Sequence, residues 1–295
     1  NISHETISLK FMEALNIEFD GALDVAISMF KGDYSRKFFG QLISGQLDMD
    51  RSDYLKRDSF YTGVSEGNIN SERLISMMSV VNDELVIEEK GIYSIEKFLT
   101  ARRLMYWQVY LHKTSLVAEQ MITRILKRAK ELSHKGVKLE ASSALSFFLN
   151  NSTNSNNFEI STLNRFSLLD DYDIMSALKS WQFHDDFVLS HLSEMILNRN
   201  LLKIKLRNKA ISSSKLEAIK KDVMLEYKLN THEASYFVFH GHVDNLAYNP
   251  KQGGLKILYK NGNIKDIIKA SDHLSSKVLS KTVSKHYICF PKDIL

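Results

Sequence analysis

Four carboxylates and three cations crowd the stretch QLDMDRSDYLKRDS at positions 46–59: Asp48, Asp50, Asp53 and Asp58 stand among Arg51, Lys56 and Arg57, with Tyr54 in the middle. Carboxylates ligate divalent metals, guanidinium groups grip phosphate with two parallel bonds, and a phenol offers a flat face plus a hydroxyl. The preceding Phe38, Phe39, Leu42, Ile43 and Leu47 keep helical spacing, so a helix is expected to run into this segment. At about 100° per residue, Asp50, Tyr54 and Asp58 then share one stripe, with Arg57 beside Asp50. A solvated helix laced with i,i+4 charge pairs explains the same composition, and spacing alone weighs the two accounts equally.

A second stretch, YSIEKFLTARRLMYWQVYLHKTSLVAE at positions 93–119, is apolar at helical spacing, with Ser94 as the expected N-cap. Arg102, Tyr106, Tyr110 and Lys113 fall on one face of that helix. Taken alone, this reads more readily as an aromatic core stripe with snorkelling bases than as a site.

The order of residues favours a site in both places. D-R-x-D-Y-L-x-R-D-S from Asp50, then Tyr61-Thr62-Gly63-Val64 and Gly67-Asn68-Ile69-Asn70-x-x-Arg73-Leu74, resembles the HD-domain phosphohydrolases. The resemblance is strongest to their deoxynucleoside triphosphate triphosphohydrolase branch, and R-x7-Y-x-H-K from Arg102 to Lys113 also matches it. The resemblance implies that Asp50 is the last ligand of a divalent metal (Mg, Mn, Fe, Ni or Zn). It gives the triphosphate to Arg102, the deoxyribose to Tyr110, and further pocket roles to Tyr54 and Asp58. His4-Glu5, followed by Ile7, Leu9, Phe11, Met12 and Leu15, looks like the family's H-E pair opening a helix, with His4 as a catalytic group near the phosphates. The family's separate His and His-Asp pair, which supply the other metal ligands, have no counterpart ahead of His4. The chain is therefore expected to be the C-terminal part of a longer enzyme.

That resemblance implies hydrolysis of a dNTP to deoxynucleoside and triphosphate, and a homo-oligomer, dimer or tetramer. An HD phosphatase for another phosphoester and a non-catalytic nucleotide-binding or oligomerisation module stand as alternatives. A hydrophobic content of 44% over 295 residues suffices for a large core. No apolar run approaches the roughly 20 residues of a membrane helix, and the lone Cys289 excludes an internal disulfide framework, so a cytoplasmic protein without membrane contact is expected. The net charge of +4 permits anionic ligands and makes nucleic acid a weak expectation, resting on Lys203, Lys205, Arg207 and Lys209.

Stepping along the chain, positions 2–132 read as helical except for a hairpin pairing residues 84–88 with Ile92-Tyr93 across Lys90-Gly91. Asn70 or Ser71 is the expected cap of the helix carrying Glu72 to Met78. The polar run at 150–157 is a loop, and 166–199 is helical again. His184-Asp185 there, with His191 after it, is a literal HD dipeptide. It follows the Asp50 motif instead of preceding it, so a surface helix pair is the better reading. Strands are expected at 201–207, 235–243, 255–259 and 286–290, a turn at Asn261-Gly262, and helices at 215–227 and 271–283. His240 and His242 share a strand face, but no further ligands accompany them. The whole is a mainly α protein: an HD-type helical core at 1–135, a helical extension at 136–200, and a small α+β region at 201–295.

Overall fold

The computed structural model describes residues 2–155, 157–246, 248–249, 253–272 and 282–294. The fold is mainly α with a small α+β part, as the sequence implies. In chain order the first helices are α1 (His4–Glu18), α2 (Asp24–Lys31), α3 (Lys37–Ser44), α4 (Met49–Thr62) and α5 (Ser71–Ser76). Strands β1 (Met78–Val81) and β2 (Glu84–Glu88) lead to α6 (Ile92–Met105) and α7 (Lys113–His134). Next come α8 (Ser143–Asn150), α9 (Ile160–Phe166), α10 (Asp171–Trp181) and α11 (Phe187–Leu197), then β3 (Lys203–Arg207), α12 (Ser213–Glu226) and α13 (Thr231–Ala234). The chain closes with β4 (Phe239–Asn245), β5 (Lys256–Leu258), β6 (Ile264–Asp266), α14 (Ile267–Ala270) and β7 (Val283–Phe290).

Two compact units divide the chain, each assembled from separated segments. The first comprises residues 1–14, 113–243 and 285–295. Its core is organised by α7, whose Met121, Ile125 and Ala129 cluster with Leu178 and Trp181 of α10 and with Leu189 and Leu192 of α11. Arg128, on the same helix, is also buried. Its guanidinium forms a bidentate pair with Asp186, at 3.0 and 2.6 Å, and Glu131 approaches to 3.3 Å. Asp186 also caps α11 by accepting the Leu189 amide. A three-stranded sheet, ordered β3-β7-β4, completes the unit.

The second unit comprises residues 15–112 and 244–284. Leu55 of α4, Leu74 of α5 and Phe98, Leu99 and Met105 of α6 meet Ile87 and Ile257 from a four-stranded sheet ordered β1-β2-β5-β6. β1 and β2 are antiparallel, with Met78 opposite Ile87; β2 and β5 are parallel, with Ile87 opposite Ile257.

Several local expectations shift. The hairpin exists, but β2 pairs with residues upstream: the turn is Asn82-Asp83, both at positive φ (50° and 62°), and Ile92 opens α6. Two successive left-handed residues give the turn whose twist matches a hairpin, and Asn and Asp tolerate that conformation best after glycine. Ser94 consequently lies inside α6, where its hydroxyl accepts from Arg73 Nε at 3.2 Å. The helix preceding Asp50 stops at Ser44: a side chain on Gly45 would collide with the Gln41 carbonyl, and Asp48 starts a new helix. Asn70 caps α5 as expected, and the Asn261-Gly262 turn joins β5 to β6. The strand expected at 235–243 begins at Phe239, because the capping box of Asn230 and Glu233 nucleates the short α13 just before it. The helix expected at 271–283 falls mainly on 273–281, outside the described residues, and Val283 already belongs to β7.

Candidate functional site

Asp48 sets the geometry of α4. Its carboxylate accepts the Arg51 amide at 2.7 Å, the N-cap bond that satisfies a free donor of the first turn, and lies 3.3 Å from the Arg51 guanidinium. Arg51 also donates to the Gly45 carbonyl, which ties the helix start to the end of α3. Burial pushes the Asp48 carboxyl above its ordinary value, outweighing the Arg51 amide and charge. With the N-cap fixed, Asp50 stands exposed in the first helical turn, Tyr54 half-buried one turn on, and Asp58 one turn further. Arg57 does not join Asp50; it pairs with Asp53 at 3.0 and 3.1 Å on the exposed side, the i,i+4 arrangement of a solvated face.

The opposing wall comes from the end of α6. After Met105 the backbone widens into a single π-helical segment, Tyr106–Tyr110, before the chain turns into α7. Such a segment inserts a residue into the helical register and so re-aims the side chains after it, and it occurs often at functional sites. Here it directs the Tyr110 hydroxyl to Asp58 Oδ2, to which it donates at 2.6 Å. Tyr110 also meets Tyr54 edge to face at 5.8 Å between ring centres, and Tyr106 at 5.2 Å. Arg102 lies one turn before Tyr106, its guanidinium carbon 5.9 Å from that ring. Burial, then the neighbouring Tyr106, raises the Tyr54 phenol to about 12; burial and the bond to Asp58 raise Tyr110. Both phenols are neutral hydrogen-bond donors across the physiological range.

The geometry therefore gathers Tyr54, Asp58, Arg102 and Tyr110 and adds Tyr106, which the sequence sets on the same helix face as Arg102 and Tyr110 but to which the resemblance gives no role. His4 belongs to the other compact unit, exposed at the start of α1, with Nε2 3.1 Å from Glu5. Lys113 likewise opens α7 in that unit.

A divalent ion requires several converging donors. Among the described residues no three His, Cys, Asp or Glu side chains converge in that way, so Asp50 offers a single carboxylate and these residues do not by themselves fit a metal. The literal His184-Asp185 dipeptide serves as a helix connection: His184 Nδ1 accepts the Asp186 amide at 2.9 Å, and His191 stacks on Phe187. No helix of the described residues is long and apolar enough to cross a membrane.

The model of the HD associated region matches residues 69–157. The crystal structure of a phosphohydrolase from Bacteroides thetaiotaomicron superposes with a TM-score of 0.95 at 50% identity, over 99% of this chain and 73% of that one. An uncharacterized protein of Bacillus subtilis, YwfO, is 30% identical over 89% of this chain and 59% of its own length, so the chain spans about three-fifths of that relative. A stretch of 94 residues, 32% of this chain and 18% of the relative, is 31% identical to the deoxynucleoside triphosphate triphosphohydrolase SAMHD1 homolog of Dictyostelium discoideum. The residue pattern of α4 and α6, the matched associated region and the close likeness over nearly the whole chain converge: this chain belongs to the HD phosphohydrolase superfamily.

Proposed function

We propose that this chain carries the nucleotide-binding part of a divalent-metal-dependent phosphohydrolase whose substrate is a deoxynucleoside triphosphate, cleaved to deoxynucleoside and triphosphate. The observation that carries the reading is the Tyr110–Asp58 bond, framed by Tyr54 and Tyr106 and flanked by Arg102. A phenol fixed by a carboxylate gives a rigid wall against a sugar, and crowding at that wall disfavours a 2′-hydroxyl. A guanidinium one to two turns away suits the triphosphate. Asp50 would contribute one ligand to such a metal. Such a metal would supply Lewis-acid polarisation of a phosphoryl oxygen. Similarity to the Dictyostelium relative supports the nucleotide class. A homo-oligomeric assembly belongs to the same proposal and is read by light scattering of the purified protein.

The test compares binding and turnover of dGTP and GTP by the full-length protein that contains this chain, in the presence of Mn2+ or Mg2+, with products resolved by anion-exchange chromatography. The expected result is preference for dGTP, release of triphosphate, and loss of at least tenfold of that preference in Tyr110→Ala. Equal treatment of the two sugars, or release of phosphate or pyrophosphate, overturns the assignment. The lack of three converging donors among the described residues favours one second reading, a nucleotide-binding module; dGTP binding without turnover in every metal selects it.

A further inference from the structure

The sheet β3-β7-β4 of the first unit has two unlike faces. Ile204 and Leu206 of β3 stand opposite Cys289 and Tyr287 of β7 and join the hydrophobic core. The alternate positions of β3 are Lys203, Lys205 and Arg207, opposite Phe290, Ile288 and His286. The two ammonium groups lie 5.9 and 5.1 Å from the centre of the buried Phe290 ring, and both lysines remain partly exposed. Arg207 is exposed, and the His286 opposite it lies 6.1 Å, centre to centre, from the His242 ring on β4. His240 follows on the same face by the alternation of the strand, and both β4 histidines are exposed. Lys215 at the start of α12 is close enough to act on Lys205, which burial and then the charges of Lys203, Lys215 and Arg207 push below the usual lysine range. Among the described residues none of these four cations makes an ion pair.

Alternate positions on a strand recur about every 6.7 Å, so Lys203, Lys205 and Arg207 form a row roughly 13 Å long. That is longer than one nucleotide's chain of phosphates and suits a polymer that presents phosphates in series. Beside the row stand imidazoles, flat rings on which unpaired bases stack. We propose that this face binds single-stranded nucleic acid, with phosphates along Lys203, Lys205 and Arg207 and bases against His286, His242 and His240. The proposal stands independently of the nucleotide chemistry at α4 and α6.

Fluorescence anisotropy of the whole chain with a labelled dT20 oligonucleotide at 50, 100 and 200 mM NaCl tests it. Three neutralised phosphates of a single strand give a slope of log affinity against log salt near −2. Replacing Lys203, Lys205 and Arg207 by Ala together should weaken binding at least tenfold and remove about 2 from the slope. Replacing the three exposed lysines Lys127, Lys138 and Lys179 by Ala should change neither, and far-ultraviolet circular dichroism checks that both variants fold. His240→Ala, His242→Ala and His286→Ala together should weaken binding while leaving most of the slope. The inference is overturned if wild-type protein fails to bind dT20 at 50 mM salt, or if the cation variant binds as well as wild type. Displacement by equimolar dGTP, which marks a nucleotide site, or by duplex DNA as effectively as by dT20, overturns it as well.

Discussion

Tyr110 and Asp58 are 52 positions apart in sequence and 2.6 Å apart in space, and the phenols around them are more protonated than free tyrosine. A raised folded-state pKa means that this contribution to stability is whole below the unfolded value near 10 and is lost as pH rises through the folded one. For Tyr54 the window is pH 10 to about 12. Ultraviolet titration should show a late component of the absorbance change that Tyr54→Phe removes. At the other end of α4, Asp48→Ala removes the N-cap acceptor and should cost about 1 kcal/mol in urea denaturation. Asp48→Asn, which keeps an acceptor and relieves a carboxylate that burial disfavours, should cost less.

Elements hold these residues in place through two close approaches. Gly67, in the turn after α4, has room for no side chain: a Cβ there would meet Met105 Sδ at 2.7 Å and Ser59 Cβ at 2.8 Å. Met105 is the last residue of α6 before the π segment, so this contact fixes the separation of the two walls of the site. Gly67→Ala should destabilise by about 1–3 kcal/mol through overpacking and weaken nucleotide binding together with it, measured by denaturation and by calorimetric titration. The hairpin turn gives a second test. Asn82→Val places a β-branched residue at positive φ and should cost about 1–2 kcal/mol, whereas Asn82→Gly should be tolerated.

At the scale of the molecule, each unit has its own hydrophobic cluster. In the first, burial raises the Asp186 carboxyl, but the hydrogen bonds from Arg128 and the Leu189 amide more than reverse this and hold it below its ordinary range. A depressed carboxylate contributes stability above its unfolded value near 4, lost as pH falls through the folded one. Arg128→Ala takes the bidentate guanidinium from the part-buried Asp186, while Glu131 keeps Tyr236 and His232, and should destabilise by about 3–5 kcal/mol. Hydrogen exchange should then rise in α7 and α11 while protection in α4 and α6 of the second unit persists.

The order of residues from Asp50 to Leu74 and from Arg102 to Lys113 was enough to reach the superfamily, and helical periodicity was enough to place the longer helices. Asp50, Tyr54 and Asp58 could be set on one stripe because a helix repeats at fixed angle, whatever packs against it. The same rule misplaced Arg57, since two faces of α4 compete for it and the nearer Asp53 wins. The β1–β2 pairing is hard to read locally because Met78–Val81 is four residues long, too short to show alternation, even though Asn82-Asp83 is turn chemistry. The π segment is invisible locally, since no residue in Tyr106–Tyr110 forbids an ordinary α turn. Only the tertiary structure decides that Tyr110 points at Asp58: that choice rests on the approach of α4 to α6 across Gly67 and Met105, a long-range contact that local spacing does not encode.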